Sequence, residues 1–84
     1  MWYVYVLKSQ KDGTLYTGLT EDLKRRIKEH NSGKSDFTSK YKPFILIYYE
    51  AFIEKEDAVE EEQFLKSGYG REIFQKKAKR SIES

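Results

Sequence analysis

Residues 2–19 read Trp2-Tyr3-Val4-Tyr5-Val6-Leu7-Lys8-Ser9-Gln10-Lys11-Asp12-Gly13-Thr14-Leu15-Tyr16-Thr17-Gly18-Leu19. The first six are aromatic or aliphatic, with β-branched residues among them, a composition that favours a strand. Asp12-Gly13 is a strong hairpin turn signal, because the glycine accepts the positive φ that tight turns require. Leu15 to Leu19 then returns as a second strand. The stretch is therefore an antiparallel pair, whose register the pattern alone does not fix.

Working outward, Thr20 is suited to cap a helix, with Glu21 and Asp22 in its first turn, where the dipole favours negative charge. The helix is expected to run to about His30 or Asn31 and to stop near Gly33. Leu23 and Ile27, four residues apart, form its core-facing pair. Ser32 to Pro43 reads as a polar, basic loop. Phe44-Ile45-Leu46-Ile47-Tyr48-Tyr49 is apolar at every position, which predicts a strand covered on both faces. Glu54 to Ser67 reads as a second helix with Gly68 as its stop, and Gly70 to Ser81 as a third, amphipathic one. The order strand, strand, helix, strand, helix, helix gives an α+β domain with a three-stranded antiparallel sheet flanked by helices.

The composition narrows the chemistry. The chain has 84 residues, which suits one domain spanning 1–84. Seven Tyr and five Phe argue for a packed core. With no Cys and one His, disulfides, thiolate-bound zinc and His clusters are excluded. Any metal must be a hard cation on oxygen, such as Mg2+ or Mn2+. The N-terminal apolar run has no basic flank like that of a signal peptide, and no stretch reaches membrane-spanning length. The expected location is the cytoplasm, with no membrane partner.

The net charge is +2, but the charges are segregated. Asp22–Lys42 carries seven basic and three acidic residues, Glu50–Glu62 one basic and seven acidic, and Lys66–Arg80 six basic and one acidic. Two basic segments around an acidic one suit a polyanion-binding surface beside a carboxylate patch. Solvated helix faces would give the same pattern.

A few residues fit a purely structural role less well. At about 100° per residue, Ala58, Val59 and Leu65 share one arc of the second helix, and Glu62 projects from its middle. A carboxylate there must be paired, protonated or bound to a cation. A salt bridge to a neighbouring Lys or Arg and a metal site both remain open. Arg26 and His30 lie four residues apart beside the Leu23/Ile27 stripe and point toward the sheet margin. Arg26 suits bidentate phosphate contact, and equally an ordinary solvated position. Tyr5 and Tyr16 on the paired strands are either packing residues or phenols able to move a proton, the latter if a nearby cation lowers a pKa of about 10. Gly18 marks a plain turn, a special backbone angle or a close approach.

Taken in order, these features resemble the GIY-YIG nuclease domain over nearly the whole chain. Tyr3-Val4-Tyr5 stands where that family has Gly-Ile-Tyr, and Tyr16-Thr17-Gly18 where it has Tyr-Ile-Gly. Asp22 to His30 is similar to the family helix, with Arg26 eight residues after Gly18. Lys42-Pro43 precedes the third strand, and Ala58 with Glu62-Gln63-Phe64-Leu65-Lys66-Ser67-Gly68 resembles the helix that carries the family's metal-binding Glu. Two positions depart from the pattern, Tyr3 for the first Gly and Thr17 for the central Ile.

The resemblance implies roles. Glu62 would bind one divalent ion, Mg2+ or Mn2+. Tyr5 would be general base or orient the water, Tyr16 would support the site and nucleophile, Arg26 would bind the scissile phosphate, and His30 would assist. Gly18 would keep the site compact. Lys24, Arg25, Lys28, Lys34, Lys40 and Lys42 would hold DNA backbone phosphates without reading bases. The expected activity is low-specificity, single-strand nicking of DNA, in repair or recombination, by a monomer or weak homodimer. In larger relatives, such as the excision-repair nuclease subunit and homing endonucleases, separate domains deliver the catalytic domain to DNA. A protein partner for targeting is thus part of the expectation. The alternatives are a catalytically weak nucleic-acid-binding module and a protein-interaction module of the same fold.

Overall fold

The computed structural model describes residues 1–34 and 38–84. Strands β1 (Trp2–Ser9) and β2 (Leu15–Thr20) form the expected hairpin. Its turn is closed by Gly13 at φ 80° and by the Asp12 carboxylate, which accepts from the Thr14 N–H at 2.9 Å. Strand β3 (Phe44–Phe52) pairs on the other side of β1, so the sheet order is β2-β1-β3 and every pairing is antiparallel.

Helix α1 (Leu23–Ser32) is capped by Asp22, whose carboxylate accepts from the Arg25 N–H at 3.0 Å. Thr20, the expected cap, is instead the last residue of β2. Its hydroxyl accepts from the Asp22 N–H and so shapes the turn into the helix. Gly33, at φ 83°, closes α1 as predicted.

The central strand is β1, where Val4, Tyr5, Val6 and Leu7 are all buried. Alternation sends Val4 and Val6 to one face, in a core with Ala58, Leu65 and Phe74, and Tyr5 and Leu7 to the other, with Phe44 and the partly buried Tyr16, Leu23 and Ile27. β3 is covered on both faces as expected, with Ile47, Tyr48 and Phe52 packed on the Val4/Val6 core and Phe44 and Leu46 on the other. It is an edge strand, and Tyr49 is exposed. A bulge also shapes its apolar run. The register against β1 shifts between Val6 and Leu7, leaving Ile47 as the extra residue of a bulge. Alternation breaks there, so the neighbours Ile47 and Tyr48 both pack on the Val4/Val6 core, whereas Leu46 packs on the other.

Helices α2 (Lys55–Lys66), α3 (Gly68–Lys77) and α4 (Lys79–Glu83) complete the chain. The predicted third helix is thus two helices, interrupted at Ala78 with φ −111° and ψ 26°. Ser67, not Gly68, separates α2 from α3. It is extended, and its hydroxyl accepts from the Gly70 N–H at 3.0 Å. Gly68 opens α3 rather than stopping α2. No helix among the described residues is long and apolar enough to cross a membrane.

Candidate active site

The site is built around Tyr5. In mid-β1 it faces Gly18 of β2 on one side and Tyr49 of β3 on the other. Its side chain crosses directly over Gly18, where an added Cβ would lie 2.3 Å from the phenol oxygen. Gly18 is therefore required by a close approach, and what approaches is the protein's own tyrosine. Tyr16, two residues earlier on the same face of β2, has its ring centroid 6.4 Å from that of Tyr5. His30, from the last turn of α1, sets its ring 4.9 Å from Tyr16 and 5.9 Å from Tyr5.

These groups form a buried polar chain. The Tyr5 hydroxyl is 2.9 Å from His30 Nε2, and His30 Nδ1 is 2.8 Å from Thr38 Oγ1. His30 and Thr38 are completely buried. A neutral imidazole offers one donor and one acceptor nitrogen. With the proton on Nδ1, His30 donates to Thr38 and accepts the Tyr5 O–H at Nε2. With the other tautomer, both bonds reverse. Burial lowers the His30 pKa, the Arg26 charge lowers it further, and Glu29 partly opposes both. Burial pushes the Tyr5 pKa up to about 12, against a hydrogen bond from Arg26 and with the aid of Tyr16 and the Glu62 charge. The condition set by the sequence, a phenol made acidic by a nearby cation, is not met by Arg26 alone, because desolvation outweighs it. At neutral pH a neutral imidazole faces a neutral phenol.

Arg26 and Glu62 bring charge to this cluster. Arg26 Nη1 donates to Glu29 Oε1 at 3.0 Å, and about a third (33%) of its side chain is open to solvent. Burial works against its charge, but hydrogen bonds to Glu29 and Tyr5 outweigh that and raise its pKa. Glu62 projects from α2, where Ala58 and Leu65 are buried and Val59 is half-buried, as the arc predicted. Its side chain is 20% exposed and its carboxylate lies 3.2 Å from Lys66 Nζ, so the salt-bridge reading of Glu62 is realised. The carboxylate is also near enough to act on Tyr5.

No three of His, Cys, Asp and Glu gather to hold a metal ion among the described residues. The donor set is one carboxylate at the rim of a partly open site. That suits a hydrated hard cation, which takes one or two carboxylates and completes its shell with water and substrate phosphate.

The predicted phosphate-binding residues Lys24, Arg25 and Lys28 are exposed on α1, and Lys34, Lys40 and Lys42 are exposed beyond it. Residues 35–37 of the predicted basic loop lie outside the described residues. Two residues escaped the sequence reading. Thr38 sits in that polar loop, where no pattern separates a buried hydroxyl from an exposed one. Asn31 clamps α1 to β3 with both halves of its amide. Its Nδ2 donates to the Phe44 carbonyl at 3.1 Å, and its Oδ1 accepts from the Phe44 N–H at 2.6 Å.

Comparison with known proteins agrees with this geometry. The family model described as the GIY-YIG catalytic domain matches residues 1–78. A UPF0213 protein of Streptococcus agalactiae is 48% identical over 65 residues, covering 76% of this chain and 73% of the relative. A UPF0213 protein of Streptococcus pyogenes is likewise 48% identical, covering 76% and 70%. The solution NMR structure of a UPF0213 protein from Bacillus halodurans is similar, with a TM-score of 0.54 and 42% identity over 88% of this chain and 82% of that one.

Proposed function

The chain belongs to the GIY-YIG catalytic domain family, a nuclease family, and from that premise we propose that it is a metal-dependent endonuclease. Its substrate is the DNA phosphodiester bond, its product a single-strand nick with low sequence preference, and residues 1–84 act as one catalytic unit in the cytoplasm.

What supports this reading is the convergence of Tyr5, Tyr16, His30, Arg26 and Glu62, drawn from four separate elements, on one edge of the sheet. Hydrolysis forms a bond from a water oxygen to phosphorus and breaks the bond to a sugar oxygen. The water loses a proton to the protein, and the leaving sugar oxygen takes one from solvent water. Tyr5 accepts the water's proton while passing its own to His30 Nε2, and His30 returns its proton to solvent to close the cycle. A phenol whose pKa is about 12 therefore never has to ionise first, and the depressed pKa of His30 keeps an empty nitrogen ready. Arg26, permanently charged at the rim, meets the negative charge that develops on the phosphate. Tyr16 packs its ring against His30 and holds the imidazole in place.

Glu62 would hold the divalent ion, Mg2+ or Mn2+, once Lys66 releases it. When bound, that ion polarises the phosphate and stabilises the leaving oxygen. Backbone contacts by Lys24, Arg25, Lys28, Lys34, Lys40 and Lys42 would position the strand.

Structured and damaged DNA, incubated with Mg2+ or Mn2+, tests the proposal. The parent should nick, and Glu62→Ala, Tyr5→Phe and Arg26→Ala should each lose about 100-fold or more, the scale seen when a transition-state contact is removed. Nicking that survives Glu62→Ala would sink the one-carboxylate mechanism.

A further inference from the structure

We propose that the groove between β2 and the corner joining α2 to α3 is a second nucleic-acid contact, seating the nucleotide next to the scissile phosphate. This rests on the nuclease reading above and adds a surface to it. The groove has a volume of about 560 Å³, within the range of roughly 300–1,000 Å³ typical of sites that enclose a small ligand. Leu15, Leu65 and Phe74 give it an apolar lining, and Lys66 and Arg71 are the charged residues that line it. No carboxylate lines it among the described residues. An apolar floor under cationic groups matches a nucleotide, with the base over the floor and the phosphate on the guanidinium.

The groove is continuous with the candidate active site through two side chains. Tyr16 lines it and also packs against His30. Lys66 lines it and also contacts Glu62. Because β2 is an edge strand, a DNA strand passing Tyr5 on one face of the sheet reaches the groove on the other by rounding that edge. Arg71 is exposed and makes no ion pair among the described residues, so its charge is available to a phosphate. None of the six basic residues assigned to α1 and its following loop lies here.

The test is binding of a short fluorescein-labelled single strand in EDTA, followed by anisotropy over a range of salt concentrations. Arg71→Ala should weaken binding about fivefold or more and reduce the slope of log affinity against log salt by about 0.7, the share of one single-strand phosphate contact. Arg71→Lys should recover most of the slope. Arg80→Ala, which removes the same charge from α4 away from the groove, should leave the slope unchanged. If the parent binds and nicks DNA but Arg71→Ala matches it, the groove assignment falls and the nuclease reading stands. Equal losses in Arg71→Ala and Arg80→Ala would mean a diffuse field, which also overturns the groove. A parent that neither binds nor nicks DNA overturns both.

Discussion

At the scale of single residues, the site depends on two that do no chemistry themselves. Gly18 must lack a Cβ because the Tyr5 hydroxyl occupies that space at 2.3 Å. The Tyr5 ring is buried and held by His30, so it has nowhere to retreat. Gly18→Ala should destabilise the fold by roughly 1–3 kcal/mol, the usual cost of overpacking a core. It should also cut nicking by displacing Tyr5, and urea unfolding beside a nicking assay reads both effects. Thr38 holds Nδ1 of a buried His30. Thr38→Val keeps the shape but leaves that nitrogen unpaired, at a cost of about 1–3 kcal/mol. It should lower kcat more than KM and alter the pH profile of nicking, with Thr38→Ser restoring both. An unchanged profile would remove Thr38 from the proton chain. The two residues were not equally legible. Tyr5, Tyr16, Gly18 and His30 sit at fixed spacings on strands and a helix, so their convergence follows from regular geometry. Thr38 reaches His30 from an irregular loop, where spacing carries no direction.

Among elements, the corner between α2 and α3 is the most tightly built. A Cβ on Gly70 would lie 1.7 Å from the Phe64 carbonyl oxygen, a backbone atom that cannot swing away. Ser67 fixes the same corner by donating to that carbonyl at 2.6 Å and accepting from the Gly70 N–H. Gly70→Ala should therefore fall at the upper end of the roughly 1–3 kcal/mol overpacking range. Because the corner follows directly on Lys66 and Leu65 of α2, it should also weaken any binding in the adjoining groove. A urea midpoint equal to the parent's would show that the corner relaxes freely. The glycines at 68 and 70 looked from sequence like a helix stop and a helix start. The real boundary is the extended backbone of Ser67, since glycine weakens helices without dictating where they end. The β3 bulge was hidden for a related reason. An apolar run records packing on both faces without recording where alternation breaks, so it does not reveal one inserted residue. Element type and order were legible because the hairpin, the Leu23/Ile27 pair and the Ala58/Leu65 arc each carry a clear period. The break at Ala78 has no such marker, because alanine favours helix.

For the whole molecule, the buried histidine ties stability to pH. It is the sole His in the chain, and it joins α1, β1 and the loop carrying Thr38. The groups facing it are Arg26, whose charge opposes protonation, Glu29, which favours it, and the phenols of Tyr5 and Tyr16. In the unfolded chain a histidine takes up its proton near pH 6.5. In the folded state burial delays uptake to lower pH. Between the two values the unfolded state holds more protons, so stability falls as pH falls, and above about pH 6.5 this group adds no slope. The carboxylate of Glu29, held below its usual range first by its hydrogen bond to Arg26, loses its contribution only at more acid pH. The first acid loss therefore belongs to His30. A domain of this size has little reserve, on the order of 5–10 kcal/mol, so the effect should be visible in the midpoint of urea unfolding. The parent's midpoint should be level above about pH 6.5 and decline toward about pH 5.5. His30→Gln should start lower and stay level across the same interval, because it has no proton to take up. A parent curve with no decline, or a Gln variant that declines equally, would mean that His30 is not held neutral. The same result would remove the empty nitrogen that the proposed proton transfer from Tyr5 requires.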